Sequence, residues 1–555
     1  MERSMLIIQT ADGPLMGSTI DGVTVFRGVP YAAAPVGDLR FKAPRPVVPW
    51  TDIRNAKFAS PASLQTNRNN QQRVQEHIAQ MDPGVTGLMA WPPYVGATYE
   101  QPLASEDCLY LDIWVPEQKP EAGCPVYVYY HGGANVVSSG SFVLERGENL
   151  ARETGMIVVR PNNRLGALGW VHFGLLDDRF NEAINLGVQD QLAALRWVHH
   201  NIQAFGGDPD NITIGGESAG ATAVSHLLCM SESAGLYRRA ILQSLTPFNP
   251  WCTQQLPEAK WVALKYIELL GLTDISELAH IDPERLLAVQ NIMGRYFAAD
   301  MAIAWRPLGA VAGGPLVEVS PAIRLSTEAL PAPPAEVMIG FAKDEWQFFR
   351  GHSKTVKEGS REDVLNVLRQ IFADKASKVL ECYERLHPGH PEGHCLSDIM
   401  SFVYFKYPSL AIADNLSKQG ARTYVYQFSF DLPGVGGELR AVHTGNIPFL
   451  FRNMTALDLA CFPSFEGIDR NAMEQSSAQM GRHYSSFIAT GAADGDWLEY
   501  RAEEPNILWF GEEVRTVSDL LSREKLAVEG GGASGVLALE RLLVANLRQT
   551  QQTEH

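Results

Sequence analysis

The sequence predicts an α/β protein: a large, mostly parallel central sheet flanked by helices, with helical insertions. Three observations carry this. Short apolar runs alternate with amphipathic stretches through the first half of the chain, the pattern of strands joined by crossover helices. The runs themselves read as buried strands. The composition, 45% hydrophobic and 20% charged over 555 residues, is that of an ordinary globular protein with ample material for a core.

In chain order, Leu6-Ile7-Ile8 is strand-like, and Pro125–Tyr130 and Met156–Arg160 are the first buried strands. A helix follows, with Leu186, Leu192, Leu195, Val198, Ile202 and Phe205 at helical spacing, stopped by Gly206-Gly207-Asp208-Pro209. Asn211–Gly215, Glu336–Gly340 and Thr423–Phe428 are later strands. Residues 64–107 are polar and then Pro/Gly-rich, which predicts a surface excursion or lid. Residues 529–535 read as a flexible loop before a closing helix near 536–548. The length alone fits either two average domains or one large domain.

Acidic residues outnumber basic ones by 63 to 46, a net charge of −17, which argues against general binding of nucleic acid or anionic membranes. Seven cysteines at irregular spacing, with no CxxC, predict free thiols in a reducing compartment. The first apolar stretch is too short for a signal sequence, and no 18-residue apolar run occurs. The expected location is therefore cytoplasmic, with no membrane span.

The chemistry concentrates at Gly216-Glu217-Ser218-Ala219-Gly220. This G-x-S-x-G lies between a strand and an Ala-rich helix, the context in which a sharp turn raises the serine hydroxyl above the sheet. The helix N-terminus beneath it favours developing negative charge. The strand 125–130 ends in His131-Gly132-Gly133-Ala134, where the N–H groups of Gly133 and Ala134, with that of Ala219, are candidates for an oxyanion hole.

A serine nucleophile needs a base, expected on a loop after a late strand, and an acid between the two in the chain. Among fourteen histidines, His443 fits best, because it follows the strand 423–428 and the glycine-rich loop 433–437. The acid is Asp344 or Glu345, just after the strand 336–340; the residues alone leave that choice open. His387, His390 and His394, with Cys395, form a cluster, but Pro388, Gly389, Pro391 and Gly393 interrupt it, and no metal is expected there.

Taken together, these residues resemble the type-B carboxylesterase and cholinesterase family, in its bacterial form. The resemblance runs from Phe26–Ala32 and Pro35–Phe41 through Ser105–Leu111, Asn163–Gly169, Asn185–Gln191, Phe205–Pro209 and the elbow to Lys343-Asp344-Glu345 and His443…Ile447-Pro448-Phe449. It implies the α/β-hydrolase fold, a single catalytic domain over 1–555, no cofactor, and a small-molecule ester as partner. It leaves the oligomeric state open. It also implies an acyl-enzyme mechanism with Glu345 as the triad acid, Glu217 and Ser244 in support, and ion pairs Arg40–Glu106 and Arg164–Asp190. Trp251 is implied as an acyl-side wall. Leu245 stands where a glycine is usual and narrows the pocket, and Phe349 is among its candidate aromatics. Ser63 replaces the cysteine that would pair with Cys108. The same machinery serves amides, carbamates and lactones, and the fold also occurs in non-catalytic binding proteins.

Overall fold

A computed structural model describes residues 5–67, 69–82, 103–248, 252–296, 308–433, 439–455 and 468–539. Thirteen strands form the main sheet: β1 (Met5–Gln9), β2 (Pro14–Ile20), β3 (Val23–Pro30), β4 (Arg54–Asn55), β5 (Tyr110–Pro116), β6 (Cys124–Tyr130), β7 (Ile157–Pro161), β8 (Gly207–Glu217), β9 (Arg239–Gln243), β10 (Glu336–Ala342), β11 (Arg422–Phe428), β12 (Asn506–Phe510) and β13 (Val514–Ser518). The spatial order is β1-β2-β3-β5-β7-β6-β8-β9-β10-β11-β12-β13, with β4 beside β2. Neighbours from β7 to β12 are all parallel, and antiparallel pairs finish both edges.

The buried strands predicted from apolar runs lie in the parallel centre, as burial on both faces requires, whereas Leu6-Ile7-Ile8 lies in the antiparallel edge strand β1 with Leu6 and Ile7 exposed. Every residue of β10 is buried, and β8 is buried from Ile212 to Glu217. The helix predicted over 186–205 is α-helical over Leu186–Asn201 and closes in a tighter turn over Ile202–Phe205. Gly206 caps it at φ 88°.

The excursion is clasped at its base. Ala62–Ser63 pairs in parallel with Ala104–Ser105. Within it, helix α1 (Gln71–Met81) buries Val74 and Ile78 and packs on helix α4 (Pro283–Tyr296). Between them in sequence lie α2 (Leu186–Asn201) and α3 (Ala219–Cys229). Residues 83–102 of the excursion lie outside the described residues.

The loop expected at 529–535 differs. Residues 529–530 end the helix Ser522–Gly530, and the turn after it is packed: Ala533 is buried, and the Tyr407 hydroxyl donates to its carbonyl and accepts from the Gly535 amide. The glycines serve a tight reversal against a buried tyrosine. Residues 536–539 start a helix, and the rest of the predicted closing helix lies outside the described residues.

Both expected ion pairs are present. Arg164 holds Asp190 in a buried fork, Nε to Oδ2 at 2.8 Å and Nη2 to Oδ1 at 2.7 Å. Arg40 grips both Glu106 oxygens, Nε to Oε2 at 2.6 Å. Such bidentate geometry fixes the connections behind the strands. Ser63 donates to the Asn163 carbonyl, and Cys108 beside it is a free, buried thiol, pushed up to about 12 chiefly by burial. Among the described residues, no helix is long and apolar enough to cross a membrane.

Candidate active site

Parallel strands aim their carboxyl ends at one edge, and ligand chemistry in such sheets gathers there. Here the ends of β6, β8, β10 and β11 each deliver one element of the predicted site.

Strand β8 ends at Glu217, and α3 starts at Ala219. Between them Ser218 sits at φ 57°, ψ −120°, a conformation that non-glycine residues rarely adopt. The turn is held by the Ser218 amide donating to the Gln243 carbonyl at 3.0 Å and the Thr222 amide donating to the Ser218 carbonyl at 3.0 Å. The flanking glycines are steric necessities. A Cβ on Gly220 would run into the Tyr130 carbonyl oxygen, and one on Gly216 into the backbone of Gly220. Gly220→Ala is therefore expected to cost about 3 kcal/mol or more, read as a large fall in thermal midpoint and soluble yield. The Ser218 hydroxyl is half-buried and makes no hydrogen bond to any described residue.

After β6, Gly133 (φ 103°), Ala134 (φ 52°) and Asn135 (φ 61°) are all left-handed. The Gly133 carbonyl takes the amides of Val136 and Val137, and Asn135 donates to the Leu308 carbonyl at 2.9 Å. A Cβ on Gly133 would strike the Val137 carbonyl, whereas Ala134 tolerates its methyl. The amides of Gly133 and Ala134 find no acceptor among the described residues. The first amide of α3, at Ala219, is likewise an orphan of the helix end. Gly132 brings this loop onto the elbow: a Cβ there would lie 3.4 Å from the Ser218 Cβ. His131 is buried and pushed down to about 4 by burial, so it is neutral, with Nδ1 donating to the Gly132 carbonyl at 2.8 Å.

His443 and Glu345 meet. The imidazole Nδ1 lies 2.6 Å from Glu345 Oε2, and Oε1 accepts the Ala342 amide at 2.6 Å, so both carboxylate oxygens are committed. Glu345 is fully buried. The residues alone left Asp344 open, and the structure gives it other work. Its amide donates to the Ala441 carbonyl at 2.8 Å, and its Oδ2 accepts the Ala441 amide at 3.3 Å. Its Oδ1 pairs with Arg440 at 3.2 Å. Asp344 thus holds the backbone two residues ahead of His443.

The far nitrogen of His443, Nε2, lies 3.4 Å from Glu217 Oε1, next in the chain to Ser218. Burial drives the Glu217 carboxyl up to about 8; the His443 charge opposes this, and Glu345 and Glu145 add to it. For His443, burial disfavours the imidazolium, but Glu217 and Glu345 outweigh it and hold the ring above the ordinary histidine value. Phe348, Phe349 and Phe405 surround the imidazole at ring-centre distances of 5.5, 5.9 and 5.2 Å. Phe405 escaped the sequence reading. It lies in a buried π-helical stretch, Phe402–Lys406, whose register periodicity does not reveal.

Ser244 (φ 51°) is buried after β9, its amide donating to the Gly340 carbonyl at 2.7 Å. Leu245 is fully buried. Trp251 lies outside the described residues. The cluster expected to be kept apart by proline and glycine is instead compact: the His387 and His390 rings stack with centres 5.2 Å apart and planes 11° from parallel. The intervening turn, with Gly389 at φ 89°, reverses the chain and brings them together.

A serine raised on a strained strand–helix turn, next in the chain to a glutamate 3.4 Å from the histidine of a buried histidine–glutamate pair, at the carboxyl edge of a mostly parallel sheet, defines an α/β-hydrolase. The carboxylesterase family model matches residues 4–528. The chain belongs to that family and is a carboxylic ester hydrolase. It is 30% identical to a phenmedipham hydrolase of Pseudarthrobacter oxydans over 93% of this chain and 97% of that one. It is 28% identical to a para-nitrobenzyl esterase of Bacillus subtilis over 94% and 97%. The crystal structure of a Geobacillus stearothermophilus carboxylesterase superposes with a TM-score of 0.78 at 29% identity, covering 94% of this chain and 99% of that one.

Proposed function

We propose that the chain hydrolyses small-molecule carboxylic esters in two acyl-transfer steps at Ser218, with His443 as base and Glu345 as its partner. The observation that carries this is the 2.6 Å pair between His443 Nδ1 and Glu345 Oε2, with His443 Nε2 3.4 Å from Glu217 Oε1, the residue before Ser218. The pair fixes the tautomer with the proton on Nδ1 and leaves Nε2 as the acceptor. On substrate binding Nε2 turns from Glu217 to the Ser218 hydroxyl, a tightening that free enzymes commonly undergo.

Nε2 then takes the hydroxyl proton as Oγ attacks the ester carbonyl. The amides of Gly133, Ala134 and Ala219 receive the oxyanion. The imidazolium protonates the departing alkoxide, leaving an acyl-serine and free alcohol. Water, deprotonated by Nε2, releases the carboxylic acid and restores Ser218. Glu217 and Ser244 support the hydrogen-bond network. Phe349 and Leu245 bound the acyl side. The family model spans nearly the whole chain, which supports a single catalytic domain.

An organophosphate fluoride tests the scheme. Labelling is expected at one site per chain, on the peptide containing Ser218, with parallel loss of aryl-ester turnover. A protein that turns over the ester unlabelled, or labels elsewhere, overturns it.

The carboxylates around His443 set the pH dependence. The base must be neutral, and its folded pKa is raised, so kcat/KM rises with pH through a limb above the ordinary histidine value of about 6.5. The limb is read from kcat/KM against pH on a neutral ester, and a limb at or below the ordinary histidine value contradicts the assignment.

A further inference from the structure

We propose that His387, His390 and Asp398 form a binding site for a divalent transition-metal ion, and that its occupancy is felt at His443 through Arg440. One donor atom from each of the three side chains lies within 4.8 Å of the others. Each comes from a fixed element. His387 ends a helix, its amide donating to the Tyr383 carbonyl at 2.8 Å; His390 follows in the turn closed by its amide on the His387 carbonyl at 3.2 Å. Asp398 lies on α5 (Glu392–Ser401) and is almost fully buried.

Two imidazoles and a carboxylate are the ligand set of many zinc sites with an open position, and the borderline-soft nitrogens favour Zn²⁺ over Ca²⁺ or Mg²⁺. His390 Nδ1 already points at Asp398 Oδ2 from 3.0 Å. A metal replaces the proton between them.

The coupling runs along Arg440. Its guanidinium lies 3.5 Å from Asp398 Oδ1, 3.2 Å from Asp344 Oδ1 and 3.5 Å from His390 Nε2. Asp398 therefore shares its charge between the metal position and Arg440, three residues before His443. A dication on Asp398 weakens that grip and repels the guanidinium, loosening the loop that Asp344 and Arg440 hold. Occupancy is thus expected to lower kcat.

The test is a calorimetric titration of the untagged full-length protein with ZnCl₂. It needs no turnover, so its outcome is separate from that of the hydrolase scheme. One equivalent is expected to bind, with affinity falling at least about tenfold in both His387→Gln and Asp398→Asn. Circular dichroism checks that both variants fold. His77→Gln serves as the counter-arm, because His77, Asp282 and Glu284 are a second converging set. If His77→Gln removes the binding, or His387→Gln and Asp398→Asn bind as the unaltered protein does, the site is wrong. Saturating Zn²⁺ should lower kcat on an aryl ester in the unaltered protein and not in His387→Gln. Equal inhibition of both, or none of either, overturns the coupling.

Discussion

Replacing Ser218 by alanine is expected to lower kcat on a p-nitrophenyl ester by roughly 10⁶-fold while the protein folds as before. The substitution removes one atom, the hydroxyl oxygen, which is half-buried and hydrogen-bonded to no described residue. No packing contact of weight and no buried partner is lost. The strained backbone, φ 57°, is equally strained for alanine, so the thermal midpoint should move little. What remains is acceleration by the unpaired amides around the elbow, roughly 10³-fold or more over water. Activity within tenfold of the unaltered enzyme, with the substitution verified by mass, removes Ser218 from the mechanism. A collapse of activity together with a large loss of stability would mean that the hydroxyl is structural, and the scheme would fail on that count too.

The parallel strands were legible because burial on both faces leaves one unbroken apolar run per strand, as in β6, β7 and β10. The elbow was legible because a glycine is required at both Gly216 and Gly220, so the steric demand is written directly in the sequence. The choice between Asp344 and Glu345 was not legible from the residues. Adjacent side chains leaving a strand point in different directions, and only the turn after Ala342 decides which one faces His443. The resemblance made that choice. Arg440 and Asp398 were invisible for a related reason. Their network joins segments far apart in the chain, and no spacing rule links them. Phe405 was hidden by a π-helical register, and the compact histidine cluster by a turn whose glycine was read as an interruption when it acts as the hinge that brings the rings together.

Glu345→Gln separates a triad acid from a buried carboxylate that merely fills space, and kcat is expected to fall by about 10⁴-fold. The carboxylate has no uncommitted oxygen. Oε1 accepts the Ala342 amide and Oε2 accepts from His443 Nδ1, each at 2.6 Å. Glutamine keeps the shape, and its single carbonyl can still take the Ala342 amide. Its amide group must then face Nδ1 and donate to it, which moves the ring proton to Nε2. The imidazole becomes a donor toward Ser218 where catalysis needs an acceptor. Losing the Glu345 charge also removes one of the causes that raise the His443 pKa, so the residual activity should show its acid limb shifted down. That double signature, a rate loss with little change in KM and a limb at lower pH, is not produced by loosened packing, which would scatter KM and leave the limb in place. Asp344→Asn is the matched comparison. It alters the neighbouring buried carboxylate, which contacts Ala441 and Arg440 and not the imidazole, and it should cost far less than Glu345→Gln. If the two losses are equal, the 2.6 Å pair is not the catalytic one.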